Sequence, residues 1–143
     1  MEVVRRADTL TEAAAWRMIE AARAKAEALG IAVNIAVVDA GAELLAFSRM
    51  DGAPLLSGEI ARNKAYTAVA FGRPTADWYP MIAKEPALLH GIVHTPRLII
   101  FGGGIPVRVN GAVVGGIGVS GGKAEQDVAC AEAGLQAIGV SAE

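Results

Sequence analysis

Apolar residues recur at helical spacing in three stretches of the chain, and each stretch ends near a glycine. The first begins at Thr9, which forms a capping-box pattern with Glu12, and continues to Gly30. Ser57 is suited to cap the second stretch, which ends at Gly72. The pattern therefore predicts three long helices, at about residues 9–30, 57–72 and 123–138.

Five shorter stretches have the apolar, β-branched character of strands. Residues 32–39 (AVNIAVVD) are too continuously apolar for a solvent-facing helix, and a turn after Asp39 leads into a return strand over 43–49. Asn110-Gly111 is a strong hairpin signal between 106–109 and 112–119. Residues 97–101 are predicted to form the remaining strand.

The element order predicts an α+β fold. Residues 75–96 are interrupted by Pro80, Pro86 and Gly91, which favours short helical turns and loop. The order is then αββα(α)βββα, and its two hairpin-type connections predict an antiparallel sheet flanked by helices that cover one face. No linker or repeat divides the chain, so we expect a single domain over residues 1–143.

Composition narrows the class of partner. Hydrophobic residues make up 53% of the 143 residues but aromatic residues only 5%, which favours small-residue surfaces suited to contact between copies of the chain. The net charge is −2 and no run of Lys and Arg exceeds two residues, which argues against nucleic-acid binding. No apolar run approaches the roughly 18–20 residues of a membrane span. With one cysteine and no secretory-signal pattern, we expect a cytoplasmic protein.

Glycines are concentrated in one apolar region. Nine of the 17 glycines lie between Gly102 and Gly122, where backbone is expected to come close to another backbone or to a ligand. Residues 116–121 match G-x-G-x-x-G and residues 118–122 match G-x-S-x-G, but the strand and histidine that should follow are missing. Gly121 and Gly122 instead precede the last helix, whose free N–H groups suit a carboxylate.

Two histidines lie four residues apart in the irregular segment. His90 and His94 would share a face if that segment is helical, but the pattern of a zinc protease is absent. One reading makes either histidine an axial ligand of a haem-like iron. The other makes both partly exposed residues near a subunit contact.

Four charged residues form a further candidate cluster: Asp39, Arg49, Asp51 and Lys64. Lys64 lies among apolar residues of its helix, so it is expected either to extend past the core or to pair with a carboxylate. A structural ion pair tying the helix to the hairpin is one interpretation. The functional interpretation makes Lys64 and Arg49 anion-binding groups, or makes Lys64 and Asp39 a proton-transfer pair.

Taken together, several motifs resemble the GlcG/HbpS family, whose members are described as haem-binding or haem-degrading proteins. The resemblance rests on VVDAG at 37–41, RMDGA at 49–53, ARNKAYTAVAFGRPT at 61–75, GGGIPV at 102–107 and GGIGVSGG at 115–122. This family is related to the C-terminal domain of PduO-type corrinoid adenosyltransferases. The resemblance implies a profilin-like fold with a five-stranded antiparallel sheet, assembly into homo-oligomers, and haem binding at subunit contacts in some members. Residues 76–96 depart most from the family pattern.

Two functions are therefore predicted as alternatives. In the first, the protein binds haem or a related tetrapyrrole near a subunit contact, with Arg49, Lys64 or the helix start at Gly121-Gly122 facing the propionates. In the second, it is a cofactor-independent isomerase, hydratase or lyase acting on a small organic acid or carbonyl compound. Lys64 or Asp39 would then move a proton. The ligand-binding residues expected across these alternatives are Arg49, Asp51, Lys64, Gly103, Gly104, Gly121 and Gly122. A purely structural or regulatory oligomer is a third possibility, disfavoured by the low aromatic content.

Overall fold

Helices and hairpin-linked strands follow one another along the chain in nearly the predicted order. The computed structural model describes residues 1–141, so the last two residues of the predicted domain lie outside the described part. The helices are α1 (Glu12–Leu29), α2 (Leu56–Phe71), α3 (Trp78–Ile82), α4 (Pro86–Gly91) and α5 (Ala124–Ala137). The strands are β1 (Asn34–Asp39), β2 (Leu44–Arg49), β3 (Gly104–Val109) and β4 (Ala112–Ser120). The predicted short helical turns over 75–96 are confirmed by α3, α4 and two 3₁₀ turns.

The glycine stops of the first two helices are confirmed, whereas their predicted caps are displaced. Gly30 and Gly72 both adopt left-handed backbone conformations, with φ of 72° and 74°. The cap of α1 is Thr11, while Thr9 accepts a hydrogen bond from the backbone of the turn after β1. Ser57 lies inside the first turn of α2 rather than before it. Within residues 1–141, no helix is long and apolar enough to cross a membrane.

Within residues 1–141, the sheet has four strands rather than the predicted five. Its order is β2-β1-β4-β3, and every neighbouring pair is antiparallel. Positive φ angles at Asn110 (52°) and Gly111 (80°) confirm the predicted β3–β4 hairpin. The prediction of a strand over 97–101 is wrong. Arg97 has a φ of 68°, and the backbone on either side of Leu98 is hydrogen-bonded to the side chain of Thr67 on α2 instead of to a strand.

Helices cover both faces of the sheet, so the prediction of one covered face is also wrong. Ile35 and Val37 of β1 belong to the main core with α1 and α5, whereas the alternate residues Ala36 and Val38 pack against α2. Because β1 is buried on both faces, its sequence is continuously apolar instead of alternating.

The glycine-rich β4 allows α2 to lie almost directly on the sheet. A Cβ atom on Gly118 would strike the carbonyl oxygen of Ala61, and one on Gly116 would lie 2.7 Å from the side chain of Val69. The predicted close approach of backbone in this region is therefore made to a helix. Since α2 packs over β4, β1 and β3, it leaves space beside the edge strand β2.

Candidate functional site

A groove of about 930 Å³ lies between α2 and the β1–β2 hairpin. Apolar side chains on its walls come from Val38, Leu44 and Phe47 of the hairpin and from Leu55 just before α2. Leu44 and Leu55 are 44% and 79% exposed. Apolar residues exposed at the rim of a concave site are typical of surfaces that a ligand or another protein covers.

Three arginines give this groove a cationic rim: Arg49 at the end of β2, Arg62 on α2 and Arg97 after α4. The ion pairs among residues 1–141 are Arg23–Glu27, Lys64–Asp127 and Arg73–Asp77, and they involve none of the three. Glu43 and Glu59 also line the groove, and neither pairs with a guanidinium of the described residues. Three unpaired guanidinium groups against two carboxylates leave the groove suited to an anion.

Arg97 is held over the groove by a strained but well-anchored loop. Its backbone carbonyl accepts a hydrogen bond from the Thr67 hydroxyl at 3.0 Å, although its φ of 68° is unfavourable for a residue with a side chain. The guanidinium lies 3.8 Å from the centre of the Tyr66 ring, and its Nε donates to Asn63 Oδ1 at 3.3 Å. Strain of this kind persists where surrounding contacts fix the conformation, and it is frequent at ligand sites.

Lys64 lies on the opposite side of α2, in a closed ion pair. Its Nζ is 3.1 Å from Asp127 Oδ2 and 2.8 Å from the carbonyl oxygen of Val119, and only 1% of the residue is exposed. The side chain of Phe101 covers it, with the ring centre 5.1 Å from Nζ. All of these contacts are internal to the protein, and Lys64 does not line the groove.

Burial dominates the electrostatics of this pair. Desolvation lowers the pKa of Lys64 below 10.5, and the attraction of Asp127 offsets only part of that shift. Desolvation likewise raises the pKa of Asp127 above 3.8, against the opposing effect of Lys64 and of the Gly122 amide. The pair therefore links α2 to α5 as a structural contact, and its charged form is costly to bury.

The predicted cluster of four charged residues is not assembled. Asp39 Oδ1 accepts hydrogen bonds from the amides of Gly41 and Glu43, at 2.8 and 3.0 Å, and so stabilises the hairpin turn. Lys64 pairs with Asp127 of α5, so the predicted Lys64–Asp39 pair is wrong. Asp51 is exposed in the turn after β2, and of the four only Arg49 lines the groove.

The glycines predicted to bind a ligand lie against other parts of the protein and do not line the groove. A Cβ on Gly103 would lie 2.6 Å from Lys64 Nζ, and Gly104 lies against the backbone of the same lysine. At the start of α5, the amide of Gly122 donates to Asp127 Oδ1 at 2.9 Å, and Gly121 packs against Val33. The anion predicted for this helix start is therefore the protein's own carboxylate.

His90 and His94 are exposed, in α4 and in the 3₁₀ turn that follows it. Neither lines the groove, although His94 is three residues from Arg97, which does. Within residues 1–141, no group of three or more His, Cys, Asp or Glu side chains is placed to hold a metal ion. The role of either histidine as an iron ligand stays a prediction.

Sequence reasoning missed most of the groove. The missed residues Asn34, Phe47, Arg62 and Arg97 all line it. A signal was present on α2, because its groove residues recur at helical spacing along one polar face: Leu55, Gly58, Glu59, Arg62, Asn63 and Tyr66. Arg97 had no such signal, because its position depends on the hydrogen bonds to Thr67.

These features define a small α+β domain with one arginine-rimmed groove. Residues 10–136 match the family model described as "Haem degrading protein HbpS-like". The chain therefore belongs to the HbpS-like family, which confirms the resemblance drawn from the motifs.

Similar proteins cover nearly the whole chain. An uncharacterised 15.0 kDa protein from the dhaT–dhaS intergenic region of Citrobacter freundii is 43% identical over 129 residues, which are 89% of this chain and 90% of that protein. The crystal structure of Klebsiella pneumoniae protein ORFY has a TM-score of 0.90 at 38% identity, covering 96% of this chain and 95% of that one. A crystal structure of PduOC in complex with haem has a TM-score of 0.87 at 32% identity, covering 94% and 99%.

Proposed function

We propose that this protein binds haem or a closely related tetrapyrrole in the groove between α2 and the β1–β2 hairpin. The observation that carries the proposal is the combination of apolar walls with a rim of three unpaired arginines in a groove of about 930 Å³. Haem is a flat apolar ring with two carboxylates on one edge, so it needs both features. The HbpS-like family and the haem complex of PduOC support the choice of ligand.

In this proposal Arg49, Arg62 and Arg97 hold the propionates, and Val38, Leu44 and Phe47 contact the ring. Bound haem would supply an iron centre, while the protein's residues orient the ring and exclude water from one of its faces. An axial ligand would come from His90 or His94, which lie on the segment that leads to Arg97.

The proposal includes assembly of several copies of the chain around the ligand. Leu55 and Leu56 are 79% and 73% exposed beside the groove, so a haem bound there would have apolar surface next to it. A second copy covering that surface would enclose the ring and bring its own side chains to it. A cytoplasmic location is also part of this proposal. Light scattering with and without hemin, and fractionation of cells, test these two points.

The enzymatic alternative receives less support from the geometry. An isomerase, hydratase or lyase acting on a small organic acid would need an acid–base group beside Arg49. Lys64 is hydrogen-bonded to Asp127 on the far side of α2, and Asp39 holds the hairpin turn. Of the predicted cluster, Arg49 alone lines the groove, where it supports binding of an acid rather than its turnover.

Titration with hemin, followed by absorption of the Soret band, tests the proposed function. We expect saturable binding that weakens about fivefold in Arg49→Ala and in Arg62→Ala, which is about 1 kcal/mol for an exposed charged contact. Arg23→Ala is the matched control, since Arg23 is an exposed arginine of α1 outside the groove. Non-saturable binding, or equal weakening in all three variants, would contradict the proposal.

The axial ligand has a separate readout. The position of the Soret band depends on the groups bound to iron, so it should shift in either His90→Ala or His94→Ala while hemin still binds. An unchanged spectrum in both variants would reject the histidines without rejecting the groove.

A further inference from the structure

One buried polar atom of the groove has no hydrogen-bond partner in the described part of the chain. Asn34 is fully buried, and its Nδ2 donates to the carbonyl oxygen of Pro54 at 3.1 Å. That contact fixes the orientation of the amide, because a carbonyl oxygen can accept only from the nitrogen. Asn34 Oδ1 is then left without a partner among residues 1–141. Native proteins rarely leave a buried carbonyl oxygen unsatisfied, so an external donor is a natural explanation.

The residue that carries this oxygen is paired across the sheet with an arginine. Asn34 and Arg49 are cross-strand partners in the β1–β2 ladder, so their side chains project from the same face, with Cβ atoms about 4.5–5.5 Å apart. Both residues line the groove. A hydrogen-bond acceptor and an anion-binding group are therefore neighbours at one end of it.

A glycine leaves the approach to this pair narrow but unfilled. A Cβ atom on Gly58 would lie 3.6 Å from Asn34 Oδ1 and 3.6 Å from Phe47 Cζ, which are ordinary van der Waals distances. Gly58 itself lines the groove, so the space beside its Cα atom is open to a ligand in the groove. This space suits a small group.

We infer that this end of the groove binds a small carboxylate that carries a hydroxyl or amino group next to the carboxylate. Arg49 would pair with the carboxylate, and the adjacent O–H or N–H would donate to Asn34 Oδ1. Ionised haem has carboxylates but no hydrogen-bond donor at its edge, so this inference goes beyond the proposed function and does not depend on it. A 2-hydroxy acid and a 2-amino acid share the required chemistry.

Calorimetric titration with three matched probes tests the inference: L-lactate, L-alanine and propionate. A donor that satisfies a buried acceptor should make lactate or alanine bind at least about tenfold more tightly than propionate, which lacks it. Tighter binding of lactate identifies hydroxy acids, and tighter binding of alanine identifies amino acids. Equal affinity for all three probes, or no binding of any, would overturn the inference.

Two variants locate the effect at Asn34. Asn34→Leu should bind the preferred acid and propionate equally, because the acceptor is gone. Since this change also removes the bond to Pro54, Gly58→Ala provides a second test. Its methyl group should weaken the preferred acid about tenfold, whereas Gly91→Ala, a matched helical glycine with open space around it, should not. Unchanged affinity in Gly58→Ala would also overturn the inference.

Hemin titration of the same wild-type protein separates this inference from the proposed function. Saturable hemin binding without discrimination among the acids would reject the acid site alone. Discrimination among the acids without saturable hemin binding would support the acid site and reject the haem proposal alone.

Discussion

Two cationic regions flank helix α2, and they differ in what neutralises them. On one side Lys64 is buried against Asp127, the carbonyl oxygen of Val119 and the Phe101 ring. On the other side Arg62, with Arg49 and Arg97, borders an open groove and has no carboxylate partner among the described residues. The charge of the first region is neutralised within the protein, whereas the charge of the second can be balanced only by a ligand, a partner or solvent.

This difference separates a structural charge from a ligand-facing one. A lysine among apolar residues attracts attention in the sequence, yet its charge serves to tie α2 to α5. The arginines look like ordinary solvated residues in the sequence, yet they converge on one apolar groove. Burial alone is therefore a poor guide to function here, and the location of the countercharge is a better one.

The largest expected effect is on the closed side. Asp127→Ala leaves the buried Lys64 ammonium without its partner, which should lower the free energy of unfolding by about 3–5 kcal/mol. Urea unfolding measures it. Asp77→Ala, which breaks the exposed Arg73–Asp77 pair, should cost less than about 1 kcal/mol.

A double variant sharpens this result. Lys64→Met/Asp127→Asn removes both charges and keeps an oxygen that can accept from the Gly122 amide. It should be more stable than Asp127→Ala, because no unpaired charge stays buried. If the double variant is less stable than Asp127→Ala, the unpaired charge of Lys64 does not cause the loss of stability in Asp127→Ala.

The next effect compares Gly118 of β4, which packs under α2, with Gly58 of α2 itself, which borders the groove. Gly118→Ala should destabilise the protein by about 1–3 kcal/mol, because its methyl group collides with the backbone of Ala61 and Ala65. Gly58→Ala meets only ordinary contacts and lies within a helix, so it should raise stability by about 0.5–1 kcal/mol. Thermal unfolding of both checks the opposite signs. A stable Gly118→Ala would contradict the close packing of α2 on β4.

The sequence predicted the fold better than the site, for physical reasons. Glycine stops, the Asn110-Gly111 hairpin and the apolar run of β1 depend on local interactions, and all appear in the structure. The strand expected at 97–101 failed because hydrogen bonds to Thr67, distant in sequence, compete with strand pairing.

The same reasoning explains the errors at the site. The sequence offered Asp39 as one candidate partner for Lys64, whereas the actual partner is Asp127, 63 residues away. Arg49 was identified because it ends a predicted strand. Asn34 was not, because nothing local reveals that its carbonyl oxygen lacks a partner.

The pH dependence of stability should also distinguish the closed pair. The raised pKa of Asp127 makes stability fall as pH increases from 3.8 to the pKa of Asp127 in the folded protein. The reason is that the folded protein binds this proton more tightly than the unfolded chain does. The lowered pKa of Lys64 makes stability rise as pH increases from its folded value to 10.5. Each unit by which a pKa differs between the folded and unfolded protein changes the free energy of unfolding by about 1.4 kcal/mol.

Other groups titrate too, so the measurement is the difference between the wild type and Lys64→Met/Asp127→Asn at each pH. The stability of the wild type relative to the double variant should be lowest at pH values between the pKa of Asp127 and the pKa of Lys64 in the folded protein. A difference that is constant with pH would show that neither pKa is shifted by folding.

The smallest effect on stability is expected at Arg97, where it also tests the open side. Arg97→Gly relieves a left-handed backbone conformation, which costs a residue with a side chain roughly 1–2 kcal/mol. It also loses the contact with the Tyr66 ring, roughly 0.5–1 kcal/mol at an exposed site. The two changes oppose each other, so the free energy of unfolding should move by less than about 1 kcal/mol.

Arg97→Ala is the matched variant, because it loses the same contact and keeps the strain. It should therefore be less stable than Arg97→Gly by about 1 kcal/mol in urea unfolding. Hemin affinity should nevertheless fall about fivefold in both, since both lack the guanidinium. Affinity that follows stability instead, falling in Arg97→Ala and not in Arg97→Gly, would mean that Arg97 only shapes its loop. Equal loss of affinity at unequal stability would assign its charge to the ligand, in contrast to the charge of Lys64.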